Sequence, residues 1–358
     1  MKAMRFHAYG EPTVLRYEDI DQPVPSAGEV LIRVAATSFN GVDGNIRAGF
    51  MQGPIPVTLP HTPGIDVSGT IAALGDDVTG LAVGDRVVGF LPMTGAGAAA
   101  EYVVAPAGIL APAPTAIDLT DAAALPTVGL TAYQALFDHA KLTSGQRVLI
   151  NGAGGAVGDY AVQLAKGAGA YVIATTSTRT SDRAKAAGAD EVINHTTVKP
   201  VEAALNADPV DPELDTEPVN PALNAKPADP ALNVEPVNPE PNPKPVDPEL
   251  NVEPVDVVLN LAPIDPAQLA ALLDLIRPGG VLVNTTVWMP APSDERRNVR
   301  GIDLFVRSDA TQLTHLAGLV DSGELRVEVA QRVPLTELPS VHAQATAHTL
   351  PGKTVIIP

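Results

Sequence analysis

Residues 147–177 read RVLINGAGGAVGDYAVQLAKGAGAYVIATTS, and their order of short apolar run, glycine turn, apolar helical face and second apolar run decides the fold. Arg147 to Asn151 predicts a strand. Gly152, Gly155 and Gly158 follow at three-residue spacing, and Tyr160, Ala161, Leu164 and Ala165 then set a small apolar face on a helix. Tyr171 to Thr175 predicts the next strand. In such a unit the first glycine allows a tight turn, the second lets a pyrophosphate approach the backbone, and the third lets helix and strand pack closely. The phosphates would sit on the free amides of Ala156, Val157 and Gly158 at the helix N-terminus. The spacing is G-x-x-G-x-x-G rather than G-x-G-x-x-G, with Val157 where a further glycine would stand. The flanking strand, helix and second strand carry the inference of a dinucleotide-binding domain.

The end of the second strand discriminates between cofactors. An NAD site usually carries an acid about 20 positions past the first glycine, where it binds ribose hydroxyls. Here Thr175, Thr176, Ser177, Thr178 and Arg179 occupy that stretch, and the first acid is Asp182. Hydroxyls with an arginine suit a 2′-phosphate, so the expected cofactor is NADPH, held by Thr176, Ser177 and Arg179. Arg183 is a candidate second phosphate contact.

A chain of 358 residues should hold two domains, each with ample core. Hydrophobic residues make up 45% and aromatics only 4%, so the core is aliphatic. There is no cysteine, which removes disulfides, thiolate zinc sites and cysteine nucleophiles together. MKAMRFHAYG at the start has no apolar signal-peptide core, and no run approaches membrane-spanning length, so a cytoplasmic protein without membrane contact is expected. The net charge of −18 argues against nucleic acid as a partner.

That charge is concentrated in a nine-residue repeat. From Pro200 the units are PVEAALNAD, PVDPELDTE, PVNPALNAK, PADPALNVE, PVNPEPNPK and PVDPELNVE, before PVDVVLNLA from Pro254. The last unit also predicts a buried strand, Val255 to Leu261. Pro200 to Glu253 holds 13 prolines, no glycine, no aromatic, and 12 acids against Lys226 and Lys244. Proline at this density disfavours helix, so an extended, solvated segment is expected. Tandem expansion places an insertion at Pro209 to Glu253. Calcium-binding nonapeptide solenoids need paired glycines, which are absent. A surface loop is the default expectation, with binding of an unknown partner as the alternative.

The N-terminal third differs in kind. Glu29 to Ala35, Asp66 to Leu74, Arg86 to Phe90 and Ala100 to Val104 predict short strands between Gly, Pro and Asp turns, a small barrel-like β domain. After the repeat, Gly280 to Thr286 and Ile302 to Arg307 predict strands and Thr311 to Val320 a helix. Gly352 to Ile357 predicts a strand that returns to the first domain.

The order of motifs VLIRVAATSFNGVDGNIRAG, LPHTPGIDVSGTIAALGDDVTGLAVGDRVVG, ALPTVGLTAYQAL, VLINGAGGAVGDYAVQLAK, GADEVINH and terminal GKTVI resembles the zinc-independent quinone oxidoreductase branch of the medium-chain dehydrogenase/reductase superfamily. The resemblance covers nearly all of the chain except the repeat. It implies an α/β protein with a GroES-like catalytic domain (1–123 and 324–358) and a Rossmann domain (124–323) that carries the Pro-rich insertion. NADPH would lie in the cleft between them. It also implies a homodimer, formed through Rossmann edge strands near Val281 to Thr286. In the zinc-dependent branch a cysteine stands where this chain has Asn40, and Gly-His-Glu where it has Gly64, Ile65 and Asp66. No metal is therefore expected, and His61, His139, His195 and His342 lack ligand spacing.

Without a Lewis acid nothing would hold an alkoxide, whereas a quinone or activated enone accepts hydride and spreads the charge itself. By resemblance Asn40 is the candidate oxyanion donor, and Asp43 a turn-fixing neighbour of it. Thr131, near the nicotinamide, is both a catalytic and a cofactor-binding candidate. Three features depart from the pattern. Phe50 and Met51 stand where related enoyl reductases place a tyrosine, which leaves solvent as the proton source. His195 replaces a tyrosine on the adenosine side. The repeat abuts that same strand. The alternatives are a dedicated enone or enoyl reductase of a biosynthetic pathway, or a weakly catalytic NADPH-binding protein with the repeat as a tether.

Overall fold

The computed structural model describes residues 1–194, 253–286 and 288–358. In the first part, strands β1 (Lys2–Phe6), β2 (Leu15–Asp19), β3 (Glu29–Ser38), β4 (Asp66–Leu74), β5 (Arg86–Phe90), β6 (Tyr102–Pro106) and β7 (Leu110–Pro112) follow in order. Then come β8 (Arg147–Asn151), β9 (Tyr171–Thr176), β10 (Glu191–Asn194), β11 (Val255–Asn260), β12 (Ile276–Asn284) and β13 (Arg300–Asp303), and finally β14 (Gln331–Pro334) and β15 (Thr354–Ile357).

The long strand β3 organises the first sheet. It pairs antiparallel with β4, β6 and β15, and the path runs β14-β15-β3-β4-β5-β7. The last strand thus lies beside the first part of the chain, and Val355 faces Ser38 across the ladder. The second sheet is six-stranded and parallel, in the order β10-β9-β8-β11-β12-β13. Parallel strands need both faces covered, and this one is: every residue of β11 is buried. The order reverses between β8 and β11, the switch point at which dinucleotides bind in such sheets. The chain is an α/β protein with a GroES-like β domain and a Rossmann-type parallel sheet.

One hydrophobic cluster links the two sheets. It runs from Ile65, Val88 and Phe90 through Leu125, Val128 and Leu130 to Tyr160, Val148, Ile150 and Val257. The helix Pro126–Tyr133 is its axis: proline at its first position pre-sets the entry, and seven of its eight residues are buried. It continues into a π-helical turn, Gln134–His139. Burial of one such leucine is worth about 2 kcal/mol, so this helix fixes the two sheets against each other.

Several element ends shift by a few residues, and three departures from the sequence reading have a visible cause or consequence. The strand expected over Ile302–Arg307 ends at Asp303, because the Arg307 backbone amide donates to the Gln134 side chain (3.1 Å) instead of to a neighbouring strand. The strand expected from Ala100 starts at Tyr102, since Ala100 bridges Ala3 and the Glu101 amide donates to the Lys2 carbonyl. Val281 to Thr286, expected at the sheet edge, lies on and just beyond β12, which sits between β11 and β13; the edge strand on this side is β13. The nonapeptide repeat and His195 lie outside the described residues, apart from Glu253, which pairs with Arg147 at 3.5 Å.

Candidate active site

At the end of β3 the chain turns into the helix Gly41–Ala48, and Asn40 caps it in extended backbone. The Asp43 carboxylate, at the third helical position, accepts the Asn40 amide (2.9 Å) and reaches across to the Gly64 amide (3.1 Å). Asp43 therefore closes the turn and ties it to the loop that leads into β4. Burial pushes the Asp43 carboxyl up to about 6, against the pull of these amide donors, with the nearby Asp66 charge adding to the rise. Its contribution to stability is complete below the ordinary aspartate value and is lost as pH rises through about 6. Asp43→Asn would turn one of the two acceptors into a donor facing a backbone N–H. The expected cost is about 1–3 kcal/mol of folding stability, read in a thermal melt near neutrality, and the event near pH 6 should vanish with it.

Asp66, fully buried at the start of β4, is the hub. One carboxylate oxygen accepts the backbone amide (2.8 Å) and hydroxyl (2.6 Å) of Thr127 at the start of the bridging helix. The other accepts Ser38 Oγ (2.5 Å), Asn40 Nδ2 (2.8 Å) and Lys353 Nζ (3.3 Å). The Lys353 ammonium, 6% exposed, also donates to Asn40 Oδ1 (2.7 Å) and the Phe39 carbonyl (3.3 Å), so all three of its protons are used. Desolvation pulls the Lys353 pKa down, and the Asp66 charge opposes that pull.

A zinc ion does not fit here. Zinc takes four tetrahedral N, S or O donors, whereas the Asp66 oxygens are saturated and a lysine ammonium already bonds the Asn40 oxygen. No group of three or more His, Asp or Glu able to hold a metal occurs among the described residues.

Asn40 itself is nearly spent as a donor. Besides Asp66, Nδ2 has among the described residues only a long contact to the Ser38 carbonyl (3.4 Å). Thr131, on the bridging helix, donates its hydroxyl to the Thr127 carbonyl (2.7 Å) one turn earlier. Sequence reasoning missed Lys353 and Thr127. The lysine was visible only as part of the terminal GKTVI.

At the switch point the glycine turn behaves as its spacing requires. Gly152 has φ +84°, left-handed backbone that favours glycine. A Cβ on Gly158 would sit 2.5 Å from the Ala153 Cα, so helix and turn meet there without room for a side chain. Gly155 caps the helix Ala156–Gly167, whose first residues are Ala156, Val157 and Gly158, and a Cβ on Gly155 would meet only the Gly152 carbonyl, at 3.5 Å. At the end of β9, Thr176 is buried and its hydroxyl has no hydrogen-bond partner among the described residues. Ser177 is half-buried, and Arg179 stands exposed without an ion pair among the described residues. Arg183 turns back to donate to the Gly154 carbonyl. An orphaned buried hydroxyl, an uncommitted arginine and free helix amides at one sheet end fit a nicotinamide dinucleotide.

Two histidines are buried apart from this chemistry. His61 lies edge-on to Phe6 (5.3 Å), and burial pulls its pKa down to about 4. His342 lies edge-on to Phe39 (4.9 Å) and has no partner on either ring nitrogen among the described residues. Burial, helped by the Arg47 charge, pulls it down to about 3. Both are held neutral, so their contribution is complete above the ordinary histidine value and is lost as pH falls towards these values. At pH 5 the His342 penalty alone comes to about 2 kcal/mol from the gap between its folded and ordinary values. His342→Phe should therefore flatten the drop in melting temperature between neutrality and pH 5, by about 5 °C. An unchanged acid shift would contradict this placement.

Comparison with known proteins agrees with the geometry. Residues 26–115 match the alcohol dehydrogenase GroES-like domain, and residues 156–227 and 244–356 match zinc-binding dehydrogenase descriptions. The chain is similar to the chloroplastic quinone-oxidoreductase QR1 of Triphysaria versicolor, 38% identical over 58% of this chain and 64% of that protein. It is also similar to the Homo sapiens quinone oxidoreductase, 37% identical over 56% of this chain and 61% of that one. The matched segment thus spans somewhat under two thirds of these relatives' length. In structure the chain resembles the quinone oxidoreductase from Coxiella burnetii (TM-score 0.78, 27% identity, 100% of this chain and 99% of that one). A mycobacterial structure complexed with NADPH gives a TM-score of 0.75 at 26% identity, covering 100% of both chains. No helix among the described residues is long and apolar enough to cross a membrane.

Proposed function

The chain belongs to the medium-chain dehydrogenase/reductase superfamily, with quinone oxidoreductases among its homologues, and on that premise we propose that it is a zinc-free, NADPH-dependent reductase of quinones or activated α,β-unsaturated carbonyls. The observation that carries this reading is the Asp66–Lys353–Asn40 cluster. Where zinc-dependent relatives would set metal ligands, this chain has a saturated carboxylate and a buried ammonium. With no Lewis acid to hold an alkoxide, the acceptor must delocalise incoming charge on its own.

NADPH, when bound, supplies the hydride. The chain's own residues then bind, orient and exclude water. The amides of Ala156, Val157 and Gly158 face the pyrophosphate, Gly152 and Gly155 shape the approach, and Thr176, Ser177 and Arg179 take the 2′-phosphorylated ribose. Thr131 and the bridging helix form the wall between the two sheets. Asn40 is the candidate donor to the acceptor oxygen, since its 3.4 Å contact to the Ser38 carbonyl is long enough to be exchanged for a substrate. Phe50 and Met51 offer no acidic proton, so the proton comes from solvent. A homodimer through the edge strand β13 and a cytoplasmic location complete the proposal.

The test is acceptor class. NADPH absorbance should decay with ortho-quinones, para-quinones or enones and stay constant with saturated aldehydes and ketones. Turnover of saturated carbonyls at comparable rates would overturn the reading.

A further inference from the structure

Three neighbouring strands of the parallel sheet end on asparagine: Asn151 on β8, Asn260 on β11 and Asn284 on β12, paired in register. Their buried side chains form a single line of hydrogen bonds. Thr175 Oγ1 donates to Asn151 Oδ1 (2.7 Å), Asn151 Nδ2 to Asn260 Oδ1 (2.8 Å), Asn260 Nδ2 to Asn284 Oδ1 (2.9 Å), and Asn284 Nδ2 to Asp303 Oδ1 (3.2 Å). The ends fix the direction. A carboxylate can only accept, and Thr175 Oγ1 already accepts the Gly152 amide (3.0 Å), so it gives its own proton onward.

Two facts separate this line from ordinary core packing. Apolar side chains of the same shape could replace the amide-to-amide rungs at little net cost, so those rungs are not explained by stability alone. And the central rung, Asn151 to Asn260, spans the switch point, beneath the place where a dinucleotide crosses the sheet. Each asparagine beyond it also grips the loop that follows its strand. Asn260 Nδ2 donates to the Ala262 carbonyl (3.2 Å), and Asn284 Nδ2 shares its two protons among the carbonyls of Thr286 (3.1 Å) and Met289 (2.9 Å) and the Asp303 carboxylate.

We propose that this directed line of hydrogen bonds is the positioning floor of the dinucleotide crevice, with Asn260 as the positioning residue. It ties the glycine turn, which faces the pyrophosphate beside the adenosine half, to the loops after β11 and β12, which face the nicotinamide half. Both halves of one cofactor molecule are thereby held at a fixed spacing. This rests on the cofactor reading above.

Asn260→Asp tests it. The change keeps shape and the acceptor for Asn151, but sets an acceptor against Asn284 Oδ1. Titration calorimetry should show NADPH affinity falling about tenfold or more, while affinity for 2′,5′-ADP, the adenosine half alone, stays within twofold. Gln163→Leu is the control for general softening. It removes buried contacts to the Arg326 backbone away from the crevice and should leave both affinities unchanged. Should N260D not fold, Asp303→Asn at the exposed end of the line should give the same split at about threefold. NADPH affinity unchanged in N260D, or parallel losses for NADPH and 2′,5′-ADP, or no split in D303N, overturns the proposal. A wild-type chain that binds neither NADPH nor NADH overturns the cofactor reading, and this proposal with it.

Discussion

Asp66→Ala should lower the melting temperature by about 10 °C, the largest stability effect expected of any single substitution in the site. The change leaves the buried Lys353 ammonium without its counter-charge and removes the acceptor for Ser38, Asn40 and both donors of Thr127. Breaking a buried ion pair from one side costs about 3–5 kcal/mol, because the remaining charge stays desolvated. In a chain of this size each kcal/mol moves the midpoint by about 2–4 °C. Replacing both charges with apolar groups, Asp66→Leu with Lys353→Met, should recover part of the loss, since neither partner is then stranded. A D66A melt within 2 °C of wild type would show that the ammonium finds another partner and that the cluster is not the hub.

Arg179→Ala should weaken NADPH binding by about 10- to 100-fold and leave NADH within twofold. A hydrogen bond to a charged group contributes about 1.5–3 kcal/mol, and each 1.4 kcal/mol is tenfold in affinity. Arg179 is exposed on the turn after β9, close in sequence to the orphaned Thr176 hydroxyl, so its removal disturbs no packing. Equal losses for NADPH and NADH would mean that the 2′-phosphate is read elsewhere, with Arg183 the next candidate. Titration of each variant with both cofactors decides between these outcomes.

The legible parts of the sequence were those set by local chemistry. Glycine spacing gave the turn after β8, and apolar runs gave β4, β5 and β8 to the residue. The helix Ala310–Asp321 was legible from its periodicity to within one residue at each end. What escaped depends on contacts made at a distance. Lys353 bonds Asn40 across 313 positions, and nothing near Lys353 distinguishes it from a surface lysine. The asparagine line exists only because the sheet order brings β8, β11 and β12 side by side. Each asparagine alone looks like the polar end of an apolar strand. The strand predicted through Arg307 failed for a similar reason, because the competing acceptor, Gln134, lies on a helix 173 positions earlier. Asn40 was singled out by resemblance, and the engagement of one of its two amide protons by Asp66 became visible only in three dimensions.

The proposed metal-free hydride transfer from NADPH is read out by NADPH oxidation with an ortho-quinone in the presence of EDTA, with NADH run in parallel. Turnover undiminished by the chelator and faster with NADPH at equal concentration is the predicted result. Loss of turnover on chelation, restored by added zinc, would contradict it and would mean that a metal binds where Lys353 now stands.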